Sequence, residues 1–145
     1  MKTIFFVEDD SVVVNVYSAK FVREGFRVEV AEDGLVAMKM LPTVKPDVIV
    51  LDLMMPKLNG VDVLKYIRSN PALKATPVII LSNAHMTKLA QEAAAIGAER
   101  ALLKSSCTPG QLIGVINDLL SGKTVGSDPS KRLAVRTLPP TKPQS

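Results

Sequence analysis

The chain has 145 residues, 47% of them hydrophobic and 22% charged, with two Tyr, four Phe and no Trp. That length suits one domain with a real core, and the aliphatic bias fits α/β packing better than a β-sandwich. A single cysteine, Cys107, excludes an internal disulfide; no stretch can cross a bilayer, and the apolar run Ile4 to Val7 is too short for a secretion signal.

A soluble, cytoplasmic protein without membrane insertion is therefore expected. The net charge of +4 is uneven: residues 1–120 hold 13 basic and 13 acidic side chains. The last 25 hold five basic residues (Lys123, Lys131, Arg132, Arg136, Lys142) and one acid, Asp128. The excess sits in a tail with four prolines and several Gly and Ser, a composition that cannot form a packed core. Direct nucleic-acid binding is accordingly not expected of the neutral folded part. The boundary falls near Ser121-Gly122, with one domain at 1–121 and a basic, Pro-rich flexible tail at 122–145.

In chain order the domain alternates strand and helix. Thr3 to Val7 reads as a buried strand ending at Glu8-Asp9-Asp10. Ser11 to Glu24 carries Val12, Val13, Val16, Phe21 and Val22 at helical spacing, with Asp10 or Ser11 as its cap and Gly25 as its stop. Phe26 to Ala31 alternates apolar and polar residues, as a strand at a sheet edge does. Asp33 can cap a short helix through Leu41, which Pro42 is expected to stop. Val48 to Leu51 is an unbroken apolar strand, followed by a loop and a helix from about Val61 to Ser69. Val78 to Leu81 is the fourth strand. Thr87 then caps a helix with Leu89, Ala93 and Ile96 on one face, and Ala101 to Leu103 is the fifth strand. Thr108 with Gln111 forms a capping box, and Pro109 opens a final helix that buries Leu112, Val115, Ile116 and Leu119. Five strands alternating with five helices imply a doubly wound parallel sheet with helices on both faces.

Parallel strands share their carboxyl ends, so Glu8-Asp9-Asp10, Asp52, Ser82 and Lys104 fall on one edge of that sheet. Ligands of open α/β sheets bind at this edge. Clustered carboxylates repel one another and call for a cation or raised pKa values. Oxygen ligands without His or Cys point to Mg²⁺, and a Lys and a hydroxyl facing it complete a receptor for a phosphoryl group. Met38, Met40, Met54 and Met55 read as packing residues, His85 as a solvated loop imidazole and Cys107 as an unreactive thiol. A nucleotide-binding domain is unsupported, because no Gly-rich loop joins the first strand to its helix.

Together these markers resemble the receiver domain of bacterial two-component response regulators. They are Val7-Glu8-Asp9-Asp10, Ala31-Glu32-Asp33-Gly34, Asp52-Leu53-Met54-Met55-Pro56 with Gly60, Pro77 to Ser82, Gly97-Ala98 and Lys104, spanning about Thr3 to Leu120. The resemblance implies a flavodoxin-like five-stranded parallel sheet of order 2-1-3-4-5, and a signalling domain rather than an enzyme. It implies Asp52 as phosphoacceptor, and Mg²⁺ held by Asp9, Asp52, the Met54 carbonyl and, through a water, Glu8. It implies phosphoryl binding and switching by Lys104, Ser82 and Asn83. Its implied partners are a sensor histidine kinase or phosphotransfer protein and a downstream protein target, with a homodimer as a further option. No attached output domain is expected in this chain. The other function considered is a receiver-fold interaction or dimerisation module in which phosphorylation is vestigial. A hydrolytic aspartyl phosphatase fits less well, since Met54 and not an acid stands two residues after Asp52.

Three positions depart from the family pattern: Ser105 where proline is usual, Ala101 where an aromatic commonly swings, and Asn83 where a small residue is common. The family's peptide after the Lys is usually cis. Before proline that geometry costs about 0.5–1 kcal/mol, but before serine about 2.5–4. A trans Lys104–Ser105 peptide is therefore expected.

Overall fold

The computed structural model describes residues 1–53, 59–82 and 87–122. The readings for Met54, Met55, Asn83, His85, the Thr87 side chain and residues 123–145 lie outside the described residues. Among the described residues, five strands alternate with five helices: β1 (Thr3–Val7), α1 (Ser11–Arg23), β2 (Arg27–Ala31), α2 (Gly34–Val44), β3 (Val48–Asp52), α3 (Gly60–Ser69), β4 (Val78–Ser82), α4 (Thr87–Ile96), β5 (Arg100–Leu103) and α5 (Pro109–Ser121). The strands form one parallel sheet in the order β2-β1-β3-β4-β5, the flavodoxin-like arrangement expected.

Alternate strand residues feed two cores, as the period-2 geometry of strands requires. Phe5, Val7, Ile49, Leu51, Val78 and Ile80 meet α2, α3 and α4 on one face. Ile4, Phe6, Val48, Val50, Ile79 and Leu81 meet α1 and α5 on the other. The three inner strands are thus apolar on both sides, whereas edge strand β2 is only partly buried and carries the Arg27–Glu29 ion pair, at 3.6 Å.

Both ends of α1 and the starts of α2 and α5 follow their sequence signals. The Asp10 side chain accepts from the N–H groups of Val12 and Val13, and Asp33 caps α2 through Val36 N–H. The Thr108–Gln111 capping box closes reciprocally at 2.8 and 3.1 Å. Gly25 takes φ of +93°, the left-handed conformation that an L-residue adopts only with strain.

Two expectations are corrected. Pro42 does not stop α2, which continues to Val44 and ends at left-handed Lys45. Proline here costs one N–H in the last full turn, while the continuation packs Val44 against the core. On α1, Val12, Val16 and Val22 face solvent at 68%, 52% and 60% exposure, and Tyr17 and Phe21 are the buried residues. Valines lie on more than one face of α1, so periodicity cannot choose the inner one. The two large rings decide it by burying more surface against Phe6.

Candidate functional site

The site stands at the carboxyl edge of the sheet, where β1, β3, β4 and β5 end side by side. Asp52 is the last residue of β3, and its Cα pairs with Leu81, one residue before Ser82 ends β4. Ser82 in turn pairs with Leu103, the residue before Lys104. Glu8 follows β1 directly, its N–H bonded to the Ala31 carbonyl at 3.0 Å. The register therefore brings Glu8, Asp9, Asp52, Ser82 and Lys104 to one edge.

Glu8 and Asp52 are buried and Asp9 is exposed, and carboxylate oxygens of all three lie within 4.8 Å of one another. Lys104 Nζ lies 3.0 Å from Glu8 Oε1, 3.3 Å from Oε2, which accepts a hydrogen bond, and 3.4 Å from Asp52 Oδ2. Its nearest partner is thus Glu8 rather than Asp52. Asp10 N–H also donates to Glu8 Oε2, while the Asp10 carboxylate stays on its helix cap.

The electrostatics follow from burial. Burial, then the Asp52 charge, raises the Glu8 carboxyl to about pKa 7, against the opposing hydrogen bond and charge of Lys104. Burial alone would lower the Lys104 pKa, but the charges of Asp52 and Glu8 outweigh it and raise the ammonium above its usual value. Among the described residues, one ammonium, that of Lys104, faces the carboxylates of Glu8, Asp9 and Asp52. An all-oxygen donor set of this kind suits a hard cation such as Mg²⁺. The Ser82 hydroxyl is 1% exposed and, among the described residues, has no hydrogen-bond partner, a polar atom suited to an incoming oxygen ligand.

Gly60 brings the start of α3 against this edge. A Cβ there would come within 2.5 Å of the Asp52 carbonyl and 2.8 Å of Leu53 Cα, both backbone atoms that side-chain movement cannot relieve. Only glycine permits the approach, and its N–H bonds Leu53 O at 2.9 Å.

A sequence model of the response regulator receiver domain matches residues 4–117. The chain belongs to the response regulator receiver family. It is 32% identical over 118 residues to the probable transcriptional regulator ycf29 of Pyropia yezoensis, covering 81% of this chain and 53% of that protein. It is 38% identical over 81 residues to the alkaline phosphatase synthesis transcriptional regulatory protein PhoP of Bacillus subtilis, covering 56% of this chain and 33% of that one. The chain thus spans about half or less of these curated relatives. Among solved structures, the chemotaxis response regulator CheY4 of Vibrio cholerae aligns with TM-score 0.76 and 28% identity, covering 83% of this chain and 99% of that one. The Francisella response regulator 1452 receiver domain aligns with TM-score 0.75 and 32% identity, over 86% and 100%.

Receiver domains are signalling modules that interact with histidine kinases or phosphotransfer proteins. Among the described residues of this one, no helix is long and apolar enough to cross a membrane.

The positions that depart from the family pattern can also be placed. The Lys104–Ser105 peptide is trans, and Lys104 to Ser106 form a single 3₁₀ turn. Ala101 is 4% exposed and packs in the core with Ala90, Ala93 and Ala98. Cys107 is buried, and burial raises its thiol pKa, in keeping with an unreactive group. The sequence reading missed Tyr17, whose hydroxyl bonds the Cys107 carbonyl, and Arg68, which ion-pairs with Glu99 at 2.8 Å. Its one signal was the i, i+4 spacing of Tyr17 and Phe21, outweighed there by five valines.

Proposed function

We propose that this receiver domain accepts a phosphoryl group on Asp52 from a phosphohistidine of a sensor kinase or phosphotransfer protein, and relays that state to a downstream protein. The observation that carries the reading is the convergence of Lys104 Nζ on two buried carboxylates, Glu8 and Asp52, beside the exposed carboxylate of Asp9. An interaction module has no need to bury two acids around one ammonium; a phosphoryl receptor does.

In the proposed transfer, an Asp52 carboxylate oxygen attacks phosphorus. The P–N bond of the donor breaks with its electron pair staying on the imidazole, and the product is an aspartyl phosphate. Asp9, Asp52 and the Met54 carbonyl would hold Mg²⁺, with Glu8 acting through a water, and the ion supplies neutralisation of phosphoryl charge. Lys104 then exchanges part of its contact with Glu8 for a phosphoryl oxygen, and Ser82 donates its hydroxyl to another. Holding these groups in place accounts for most of the rate, because the transfer needs positioning and charge stabilisation more than covalent help from the protein.

Intact-mass measurement after incubation with Mg²⁺ and a small acyl phosphate tests this. Wild type is expected to gain one phosphoryl group and Asp52→Asn none. An equal adduct on Asp52→Asn would overturn the assignment of Asp52. A wild type that gains nothing would leave the fold serving as an interaction module.

A further inference from the structure

Lys104 acts at the end of a long side chain, so its aim depends on the backbone that carries it. That backbone is weakly determined by its neighbours. β5 is an edge strand, and its ladder ends at the Ser82–Leu103 pair, just before Lys104. The following 3₁₀ turn has no side-chain cap, and Ser105 and Ser106 are exposed. Order resumes at Thr108, whose N–H and hydroxyl are both engaged in the α5 capping box. Between these limits the buried Cys107 carbonyl accepts the Tyr17 hydroxyl at 2.5 Å, from a residue 90 positions earlier.

Tyr17 is well placed to hold that carbonyl. Its ring is 7% exposed and packs against Phe6 at 5.9 Å and Phe21 at 6.2 Å, both in tilted or edge-on contact. Phe6 lies two residues before Glu8 in the same chain segment. One ring cluster therefore ties the strand that carries Glu8 to the turn that carries Lys104. Burial, with the neighbouring thiol, raises the phenol pKa, so the hydroxyl stays protonated as a donor. Nor is the carbonyl supplied otherwise: no backbone N–H bonds Cys107 O among the described residues.

We propose that Tyr17 is a positioning residue for Lys104: its hydroxyl fixes the Cys107 carbonyl, and through it the 3₁₀ turn from which the ammonium reaches Glu8 and Asp52. Without that hydroxyl the buried carbonyl loses its partner and turns toward water, and the turn moves with it. The kinetic consequence rests on the reading of Asp52 as phosphoacceptor; the ordering of the turn does not.

Tyr17→Phe removes a single oxygen and keeps the ring in its cluster, which makes it the variant of choice in the full chain. Amide hydrogen exchange of residues 104–107, measured without phosphodonor, is expected to quicken about five- to tenfold, as loss of one buried hydrogen bond implies. The Asp52 phosphorylation rate at saturating acyl phosphate and Mg²⁺ is expected to fall about tenfold or more, with half-saturation by donor little changed, because misplacement of a group by an ångström has effects of that size. Ile67→Val, buried in the opposite core, serves as a control of comparable stability loss and is expected to leave both readouts at wild-type values. Unchanged exchange at 104–107 in Tyr17→Phe overturns the proposal, as does an equal rate loss in Ile67→Val. A wild type that takes no phosphoryl group overturns the reading of Asp52 instead, and the exchange measurement alone then decides the role of Tyr17.

Discussion

Glu8 shows how one buried side chain sets the energetics of the site. Its carboxyl is pushed from 4.5 to about 7, so between those values the folded protein binds more protons than the unfolded chain. Stability must then fall as pH rises through that window, since the charged form is the one burial disfavours. Replacing Glu8 by Gln removes the ionisable group while keeping its shape. We expect Glu8→Gln to be more stable than wild type at pH 8 in the absence of divalent cations, by on the order of 1–3 kcal/mol. The gap should close toward pH 4.5, where both side chains are neutral. Urea titrations across that range check it, and a gap that widens toward acid would contradict the assignment. Added Mg²⁺ should shrink the advantage, because a cation beside Glu8 favours its charged form.

At the scale of the element, α1 illustrates the limit of periodicity. Its valines occupy several faces, and the helix settles with Tyr17 and Phe21 inward, where they stack with Phe6. The consequence is a sharp contrast between residues of similar hydrophobicity in one helix. Val16→Ala is expected to change stability by less than about 0.5 kcal/mol, since Val16 is half exposed. Phe21→Ala should cost about 3–5 kcal/mol, because it empties a fully buried aromatic site. Chemical denaturation of the two variants measures both, and comparable losses would mean that α1 sits in the other register. On α2, Pro42 makes a related point: a breaker in a last turn is outweighed when the residues beyond it have a core to pack against.

Across the molecule, the end of the sheet away from the candidate site is braced by Arg68. From the last turn of α3 its guanidinium donates to the carbonyls of Gly97, Lys74 and Thr76 and to the Glu99 carboxylate, all at 2.8 to 3.3 Å. Glu99 in turn accepts the Val78 N–H at 2.8 Å, at the start of β4. Helix α3, the loop before β4 and the turn before β5 thus share one side chain, and its loss would leave carbonyls and a half-buried carboxylate without their donor. We expect Arg68→Ala to lower stability by about 2–3 kcal/mol while leaving Asp52 phosphorylation near wild type, because the brace and the phosphoryl edge are at opposite ends of β4. Arg68→Lys should recover only part of the loss, since an ammonium cannot reproduce the planar fork. A loss below about 0.5 kcal/mol by urea unfolding would show that the brace is solvated rather than structural.

By itself the sequence determined the strand and helix order, the caps of α2 and α5, and that Glu8, Asp9, Asp52, Ser82 and Lys104 meet at one edge of the sheet. Those features are local: strand runs, turn residues and caps act over a few positions, and parallel strands necessarily share their carboxyl ends. Strand order was legible only through the resemblance, because alternation alone fits more than one arrangement of five strands. Only the tertiary structure decided which face of α1 is inner, that Lys104 lies nearer Glu8 than Asp52, and that Tyr17 and Arg68 hold distant turns in place. The deciding contacts join residues 15 to 96 positions apart in the chain. Patterning records that a side chain is buried, but not which partner it meets; that choice is made by packing, where the larger ring, the closer carboxylate or the unsatisfied carbonyl prevails.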